Sequence, residues 1–266
     1  MLHVVFYFQV HQPYRLKQFH LLDIGKPGGL FDDALNRAVI RKVGDKCYLP
    51  TNRLLKELIE RYEGRFKVAF SITGVLIDQL KEYYPEVLES FQDLARTGCV
   101  EFLGETYHHS LSFLYDREEF LTQVRLHKEL MRETFGFHPT IFRNTELIYN
   151  DALADIVAED PDFRGILAEG ADKILGWRSP LYTYASANHK LLLLLKYYSL
   201  SDDIAFRFSN KGWPEFPLTA EKFVGWLSRL LLVEPGERNL FANLFMDYET
   251  FGEHQWAETG IFQFLR

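Results

Sequence analysis

Short, continuously apolar segments alternate along this chain with segments whose apolar residues recur at helical spacing. Apolar runs of about four to eight residues, rich in Val, Ile, Leu and Phe, are typical of strands buried on both faces of a parallel sheet. The helical segments include residues 52–64 and 117–136, and each of these ends at a glycine. The predicted strands are Val4–Val10, Lys67–Ile72, Val100–Glu105, Thr140–Arg143, Gly165–Ala168, Leu192–Tyr198 and Leu240–Met246.

Strands that alternate with helices indicate βαβ units and a parallel sheet. The seven predicted strands are one fewer than the familiar α/β barrel contains. The chain has 266 residues, without an internal repeat or a linker-like segment, and α/β barrels of this size commonly form one domain. We therefore expect a single parallel α/β domain over residues 1–266.

Composition and charge narrow the classes of ligand and location. The net charge of −7, with both signs mixed along the chain, disfavours binding to nucleic acid or to an anionic membrane. The aromatic content of 15% suits a groove for flat, weakly polar ligands such as sugar rings. The two cysteines, Cys47 and Cys99, suggest a reducing compartment, and the N-terminus lacks signal-peptide features. Because the apolar run at 190–200 is too short to span a membrane, we predict a cytoplasmic protein without a membrane partner.

Polar residues cluster where the predicted strands end. The first, third, fourth and seventh strands end in "VHQP", "GETYHHS", "RNTE" and "MDYE", and "SLSDD" follows the sixth. Ligands of parallel α/β folds bind beyond the carboxyl ends of the strands, so these groups are predicted to share one mouth. The residues are His11, Glu105, His108, His109, Glu146, Asp202, Asp203, Asp247 and Glu249.

These segments together resemble a known family. They are similar in order and approximate spacing to successive motifs of glycoside hydrolase family 57: "HQP" at 11–13, "GETYHHS" at 104–110, "FRNTELIYND" at 142–151 and "FMDYETFGEH" at 245–254. Residues 201–210 and Trp177 also resemble the α-amylase-like branch of that family. The resemblance implies a (β/α)7 barrel that acts on an α-glucan or maltooligosaccharide without a cofactor.

The resemblance also implies that Glu146 is the nucleophile and Asp247 the general acid/base of a retaining glycosidase. Such an enzyme uses one ionised and one protonated carboxyl group, about 5–5.5 Å apart. Arg143 is expected to lower the pKa of Glu146, or else to neutralise another carboxylate of the mouth. Glu249 is expected to face the same side of an extended segment as Asp247, and the apolar strand end to desolvate Asp247. The predicted substrate-binding residues are His11, Gln12, His109, Arg143, Trp177, Asp203, Glu249 and His254.

Other functions are compatible with parts of this pattern. Within the same family, 4-α-glucanotransferases and branching enzymes would use the same carboxylates. Metal-dependent polysaccharide deacetylases also have a seven-stranded barrel, but they use an Asp-Asp stretch and two histidines four positions apart. No two histidines here have that spacing, so no metal is predicted. A barrel that only binds glycans would usually have lost one catalytic carboxylate, and both are present here.

The C-terminal segment "AETGIFQFLR" predicts the start of a helix that has neither a cap nor a glycine stop. Members of the resembled family continue into a helical region that helps to cover the active-site side of the barrel. We therefore expect a shortened or truncated member that lacks this region.

Overall fold

The structure, a computed structural model, describes residues 1–23, 25, 29–233 and 239–266. Its strands are short and built largely from apolar residues, as expected for strands that are covered on both faces. The strands are β1 (Leu2–Val10), β2 (Val68–Ile72), β3 (Val100–Phe102), β4 (Ile141–Arg143), β5 (Gly165–Glu169), β6 (Tyr184–Ala185), β7 (Leu192–Lys196) and β8 (Leu240–Asp247).

Among the described residues, two four-stranded sheets, of order β3-β2-β1-β8 and β4-β5-β7-β6, join at both edges to close a barrel. At the first seam, Gly104 forms a parallel bridge with Phe142. At the second, the Tyr197 amide donates to the Asn243 carbonyl at 2.8 Å, and the Asn243 side chain donates to the Leu195 carbonyl at 2.9 Å. The short β6 pairs antiparallel with β7 outside the ring. The seven parallel strands therefore form the predicted (β/α)7 barrel, in the order β1, β2, β3, β4, β5, β7, β8.

Alternate side chains of the strands fill the barrel interior. Tyr7 and Phe245 meet there edge to face, with ring centroids 5.3 Å apart. Successive inward positions on a strand are two residues apart, so the residue after Tyr7 in this series is Gln9, and the residue after Phe245 is Asp247. The interior thus changes from apolar to polar towards the carboxyl ends of the strands. The buried apolar members of this inner cluster are Tyr7, Leu103, Leu147, Leu167 and Phe245.

Helices cover the outside of the barrel and bury most of its aromatic residues. Phe8, Phe70, Phe91 and Tyr248 pack together there, with ring centroids 5.0 to 5.9 Å apart. Much of the high aromatic content therefore belongs to this core and does not line a ligand groove. The helices are α1 (Asp33–Val43), α2 (Leu49–Arg61), α3 (Gly74–Tyr83), α4 (Pro85–Arg96), α5 (Arg117–Phe135), α6 (Asp151–Val157), α7 (Asp172–Leu175), α8 (Tyr198–Asp202), α9 (Ala220–Val233) and α10 (Ile261–Leu265).

Local signals set the ends of the predicted helices. The side chain of Asp116 accepts a hydrogen bond from the amide of Glu119, which caps the start of α5. Gly136 follows α5 with a φ of 66°, a left-handed conformation that ends helices and suits glycine.

Cys47 and Cys99 are both free and buried. Within the described ranges, no helix is long and apolar enough to cross a membrane.

Candidate active site

A pocket of about 190 Å³ opens at the carboxyl ends of the barrel strands. Glu146 lies in a short turn after β4, and Asp247 is the last residue of β8. The two carboxyl groups are far apart in sequence, and closure of the barrel brings both into the wall of this pocket. The lining residues are Tyr7, Gln9, Arg143, Glu146, Leu147, Glu169, Lys196, Asp202, Ala205, Phe206, Phe245, Met246, Asp247, Thr250 and His254.

The backbone around Glu146 has an unusual conformation. Glu146 and Leu147 both have a φ of 55°, and His109, whose side chain contacts Glu146, has the same value. Left-handed backbone at a residue other than glycine costs on the order of 1–3 kcal/mol, and such residues cluster at functional sites. The turn buries Leu147 in the barrel and leaves the Glu146 side chain 69% exposed at the pocket.

A group of buried charged and polar side chains lies behind Glu146. Arg143 is 2% exposed and Glu105 is completely buried. The Arg143 guanidinium donates to the side-chain oxygen of Gln9, and its Nη1 lies 3.8 Å from Oε2 of Glu105. His109 lies between this pair and the pocket, with Nδ1 3.7 Å from Glu105 Oε2 and Nε2 3.1 Å from Glu146 Oε1. This arrangement connects Glu146 to buried charges of both signs.

These neighbours favour the ionised form of Glu146. Partial burial alone would raise the pKa of Glu146, but the hydrogen bond with His109 and the positive charge of Arg143 outweigh it and lower the pKa. Burial alone would raise the pKa of Glu105 as well, but His109, His127 and Arg143 together outweigh it and lower the pKa. Arg143 therefore combines the two roles that the sequence left open, because it acts on Glu146 and also faces a second carboxylate.

The "HQP" segment lies beside this group. His11 Nδ1 is 2.9 Å from the Thr73 hydroxyl, and the His11 ring stacks on His109 with centroids 4.1 Å apart. Burial, and then the nearby His109, lower the pKa of His11 to about 4. The Gln12 side chain is turned away from the pocket lining, since its amide donates to Glu249 and its oxygen accepts from Arg15.

The chain after Asp247 departs from the predicted extended geometry. Strand β8 ends at Asp247, and Tyr248–Thr250 form a turn of 3-10 helix. The prediction that Glu249 faces the same side as Asp247 is therefore wrong: Glu249 is buried, and accepts hydrogen bonds from Tyr48 and Gln12. The predicted desolvation of Asp247 is wrong too, because Asp247 is exposed at the pocket. Burial raises the pKa of Glu249 to about 7, despite those two hydrogen bonds.

Of the remaining residues predicted to bind substrate, one lines the pocket and two do not. His254 is exposed and lines the pocket. Trp177 is 95% exposed and lies outside the pocket lining. Asp203 does not line the pocket, because it is buried against Arg207 at 2.6 Å, whereas its neighbour Asp202 does. Consecutive residues of a helical turn point in different directions, so only one of the two aspartates faces the pocket.

The prediction missed a charged group at the ends of β5 and β7, on the side of the pocket between β4 and β8. Lys196 Nζ lies 3.6 Å from Glu169 and 3.4 Å from Asp202. Burial raises the pKa of Glu169, although the nearby Lys196 acts against this effect. Glu169 and Lys196 are the last residues of β5 and β7, so the rule that ligands bind at strand ends could have identified them.

No group of three or more His, Cys, Asp and Glu side chains among the described residues is arranged to hold a metal ion. The prediction that catalysis needs no metal stays a prediction.

The sequence matches known carbohydrate-active enzymes. The family model described as Glycosyl hydrolase family 57 matches residues 5–266. A protein of Methanocaldococcus jannaschii that is provisionally named an alpha-amylase is 49% identical over 99% of this chain and 54% of its own length. The chain thus spans about half the length of that curated relative.

Solved structures share the fold at much lower identity. The 4-alpha-glucanotransferase of Thermococcus litoralis has a TM-score of 0.73 and 18% identity, over 98% of this chain and 36% of that chain. A protein of Mycobacterium smegmatis, provisionally described as a polysaccharide deacetylase, has a TM-score of 0.58 and 16% identity, over 99% and 82% of the two chains. Barrels of this kind therefore occur in proteins of different described activities, and the site has to distinguish them.

Proposed function

The chain belongs to glycosyl hydrolase family 57, and from this premise we propose that it cleaves α-1,4-linked glucans with retention of configuration at the anomeric carbon. The observation that carries the proposal is that Glu146, in the turn after β4, and Asp247, at the end of β8, line one pocket. A retaining glycosidase needs two carboxyl groups that flank the scissile bond. The 49% identity to a protein provisionally named an alpha-amylase supports an α-glucan as the substrate.

In the first step, Glu146 acts as the nucleophile. One of its carboxylate oxygens forms a bond to the anomeric carbon while the bond from that carbon to the glycosidic oxygen breaks. The carboxyl proton of Asp247 passes to the departing oxygen, so the leaving sugar departs as a neutral alcohol. The pKa of Glu146, lowered by His109 and Arg143, supports this role because the nucleophile must be ionised.

In the second step, an acceptor releases the sugar from Glu146. Asp247, now a carboxylate, takes a proton from the acceptor, and the acceptor oxygen bonds to the anomeric carbon. The bond between this carbon and Glu146 breaks, which restores both carboxyl groups to their starting states. Water as the acceptor gives hydrolysis, and a sugar hydroxyl gives transfer, so the same residues serve an amylase, a 4-α-glucanotransferase or a branching enzyme.

The polar residues around the two carboxyl groups would bind the sugar hydroxyls. Lys196, Asp202 and His254 line the pocket, and the His11 ring stacks on His109 beside it. Hydrogen bonds to charged groups in a partly enclosed site are stronger than those in water, so these contacts would orient the ring at Glu146.

Incubation with maltooligosaccharides of defined length, followed by separation of the products by size, tests the proposal. Shorter products alone would indicate hydrolysis, whereas a mixture of shorter and longer products would indicate transfer. Recovery of the starting maltooligosaccharides alone, with neither shorter nor longer products, would contradict the proposed activity.

A chelator separates the proposal from the deacetylase alternative. The proposed mechanism uses two carboxyl groups and no metal, so a chelator is expected to leave the rate of glucan cleavage unchanged. Release of acetate from an acetylated polysaccharide that a chelator abolishes and zinc restores would instead favour a deacetylase.

A further inference from the structure

We propose that His109 is a positioning residue that holds the carboxylate of Glu146 through a hydrogen bond donated by Nε2, and that Arg143 fixes the proton on that nitrogen. This inference rests on the proposed function, because it takes Glu146 as the nucleophile. The prediction that His109 also contacts sugar hydroxyls stays a prediction.

The two partners of this hydrogen bond differ in solvent exposure. The His109 side chain is 11% exposed, whereas the Glu146 side chain is 69% exposed, and the nitrogen and oxygen are 3.1 Å apart. An exposed glutamate side chain loses rotational freedom about several bonds when it is held in one conformation. A fixed donor at Nε2 of His109 would therefore select the conformation in which the carboxylate faces the pocket.

The position of Arg143 decides which nitrogen of His109 carries the proton. Nη1 of Arg143 lies 3.4 Å from Nδ1 of His109. A guanidinium has N–H donors and no acceptor, so this contact requires a lone pair on Nδ1. In a neutral imidazole the proton is then on Nε2, where it faces Glu146. The Gln9 amide nitrogen lies 3.4 Å and 3.3 Å from the two ring nitrogens and so favours neither. Oε2 of Glu105 would favour a proton on Nδ1, but at 3.7 Å it lies beyond hydrogen-bond distance and farther from Nδ1 than the Arg143 nitrogen does.

Glu105 keeps Arg143 in this position. Both carboxylate oxygens of Glu105 are buried and have no hydrogen-bond partner among the described residues. Oε2 lies 3.8 Å from Nη1 of Arg143, and Oε1 lies 4.0 Å from Nε2 of His127. A buried guanidinium without an opposite charge would strongly destabilise the fold, so Glu105 compensates Arg143 by its charge.

The stacked ring of His11 restricts rotation of the His109 ring about its bond to Cβ. The two rings are 4.1 Å apart and within 21° of parallel, and His11 is itself held by the Thr73 hydroxyl. Rotation of the His109 ring about its bond to Cβ would break this stack. The ring is therefore held by Arg143 at one nitrogen, by Glu146 at the other, and by His11 on one face.

The nitrogen NMR spectrum of histidine-labelled protein tests the assigned proton directly. At neutral pH we expect His109 to show a protonated Nε2 and an unprotonated Nδ1, with its signals identified by their loss in the His109→Gln variant. A neutral His109 with its proton on Nδ1 would overturn the proposal. This readout does not depend on any enzymatic activity, so it stays informative if the proposed function fails.

Two variants at His109 separate positioning from packing. Leu removes the donor, whereas the amide of Gln keeps one. With an activated glycosyl donor, His109→Leu is expected to lower kcat roughly 100-fold with little change in KM, because the nucleophile is misplaced, and His109→Gln is expected to recover much of that loss. Equal losses of kcat in both variants, with thermal unfolding like the parent protein, would contradict a positioning role.

The exposed neighbour provides the matched control. His108→Leu removes a histidine side chain that is exposed and lies outside the pocket lining, so kcat should stay unchanged. If the parent protein itself forms no glycosyl-enzyme with the activated donor, the proposed function is at fault, and the NMR result alone then decides the inference about His109.

Discussion

The two walls of the pocket provide their carboxyl groups in different ways. On the wall formed by β3 and β4, the charges of Arg143 and Glu105 are buried behind Glu146 and fix its surroundings before substrate binds. On the wall formed by β8, Asp247 is exposed, and the nearest carboxyl group along the chain, Glu249, is buried with a pKa of about 7. One wall is built around charges, and the other around a group that is half protonated near neutral pH.

The difference fits the two proposed roles. A nucleophile must be ionised in the free enzyme, and permanent positive charge near Glu146 ensures this without substrate. A general acid must reach the glycosidic oxygen of the bound substrate, and the exposed position of Asp247 at the pocket gives it that access. The comparison therefore predicts that substitutions on the two walls have different consequences.

Substitution of the nucleophile should have the largest effect. Glu146→Gln keeps the shape of the side chain but removes the attacking carboxylate, so both natural glucans and activated donors should lose activity by on the order of 10⁴-fold or more. The rate of product formation with each substrate measures this. A Glu146→Gln variant that still processes an activated donor at a tenth of the parent rate would remove Glu146 from the proposed role.

Substitution of the general acid should affect natural glucans and activated donors differently. Asp247→Asn cannot donate a proton, and general acid catalysis contributes about 10²- to 10⁴-fold, so cleavage of natural glucans should fall by this factor. Formation of the glycosyl-enzyme from a glycosyl fluoride needs little acid assistance, and its rate should be largely retained. A loss with the fluoride as complete as that of Glu146→Gln would mean that the two walls do not divide the roles.

The pH dependence of the free energy of unfolding tests whether burial holds a proton on Glu249, next to the β8 wall. The pKa of Glu249 is raised in the folded protein from 4.5 to about 7. Between these two pH values the side chain holds its proton in the folded state and loses it in the unfolded state. Its contribution to stability is therefore fully present below about pH 4.5 and is lost as the pH rises towards 7, by about 3 kcal/mol.

Glu249→Gln removes this titration but keeps an oxygen that accepts from Tyr48 and Gln12. We expect the free energy of unfolding of the variant, measured with urea, to rise relative to the parent between pH 5 and pH 8. The exposed Glu89 of α4 is the matched control, and Glu89→Gln should show a constant difference from the parent. A constant difference for Glu249→Gln as well would show that burial does not hold a proton on Glu249.

The smallest effect is expected at the exposed aromatic residue. Trp177 lies outside the pocket lining and Phe206 lies within it, so we expect Trp177 to contact only those sugars of a long glucan that extend beyond the pocket. Trp177→Ala should therefore raise KM several-fold for long glucans and leave KM for the shortest substrate unchanged, whereas Phe206→Ala should raise both. An increase for the shortest substrate in Trp177→Ala would place Trp177 closer to the reaction than the structure does.

The fold followed from the sequence because strands buried on both faces leave an unambiguous apolar run. The seven predicted strands correspond to β1–β5, β7 and β8, although the predicted third and sixth strands were longer than those in the structure. Strand β6 has two residues and was missed, because no periodic pattern can be read from so short a segment.

The site was less predictable because side-chain direction depends on where each strand ends. Since β8 stops at Asp247 and a turn follows, the two-residue alternation that was assumed for Glu249 did not apply. Asp203 was chosen over Asp202 for a similar reason, because the rotation of the helical turn cannot be read from an Asp-Asp pair. Glu169 and Lys196 were missed because single charges at strand ends form no motif, although their position was informative.

Identification of the residue that carries the sugar tests the central claim most directly. The protein is mixed with a fluorinated, activated α-glucosyl donor that forms the glycosyl-enzyme faster than water releases it, then digested and analysed by mass spectrometry. We expect the mass of one glucosyl group on the peptide that contains Glu146, with fragmentation that places it on that residue. The same mass on Asp247, or turnover of the donor without any labelled peptide in parent protein quenched during the reaction, would contradict the account.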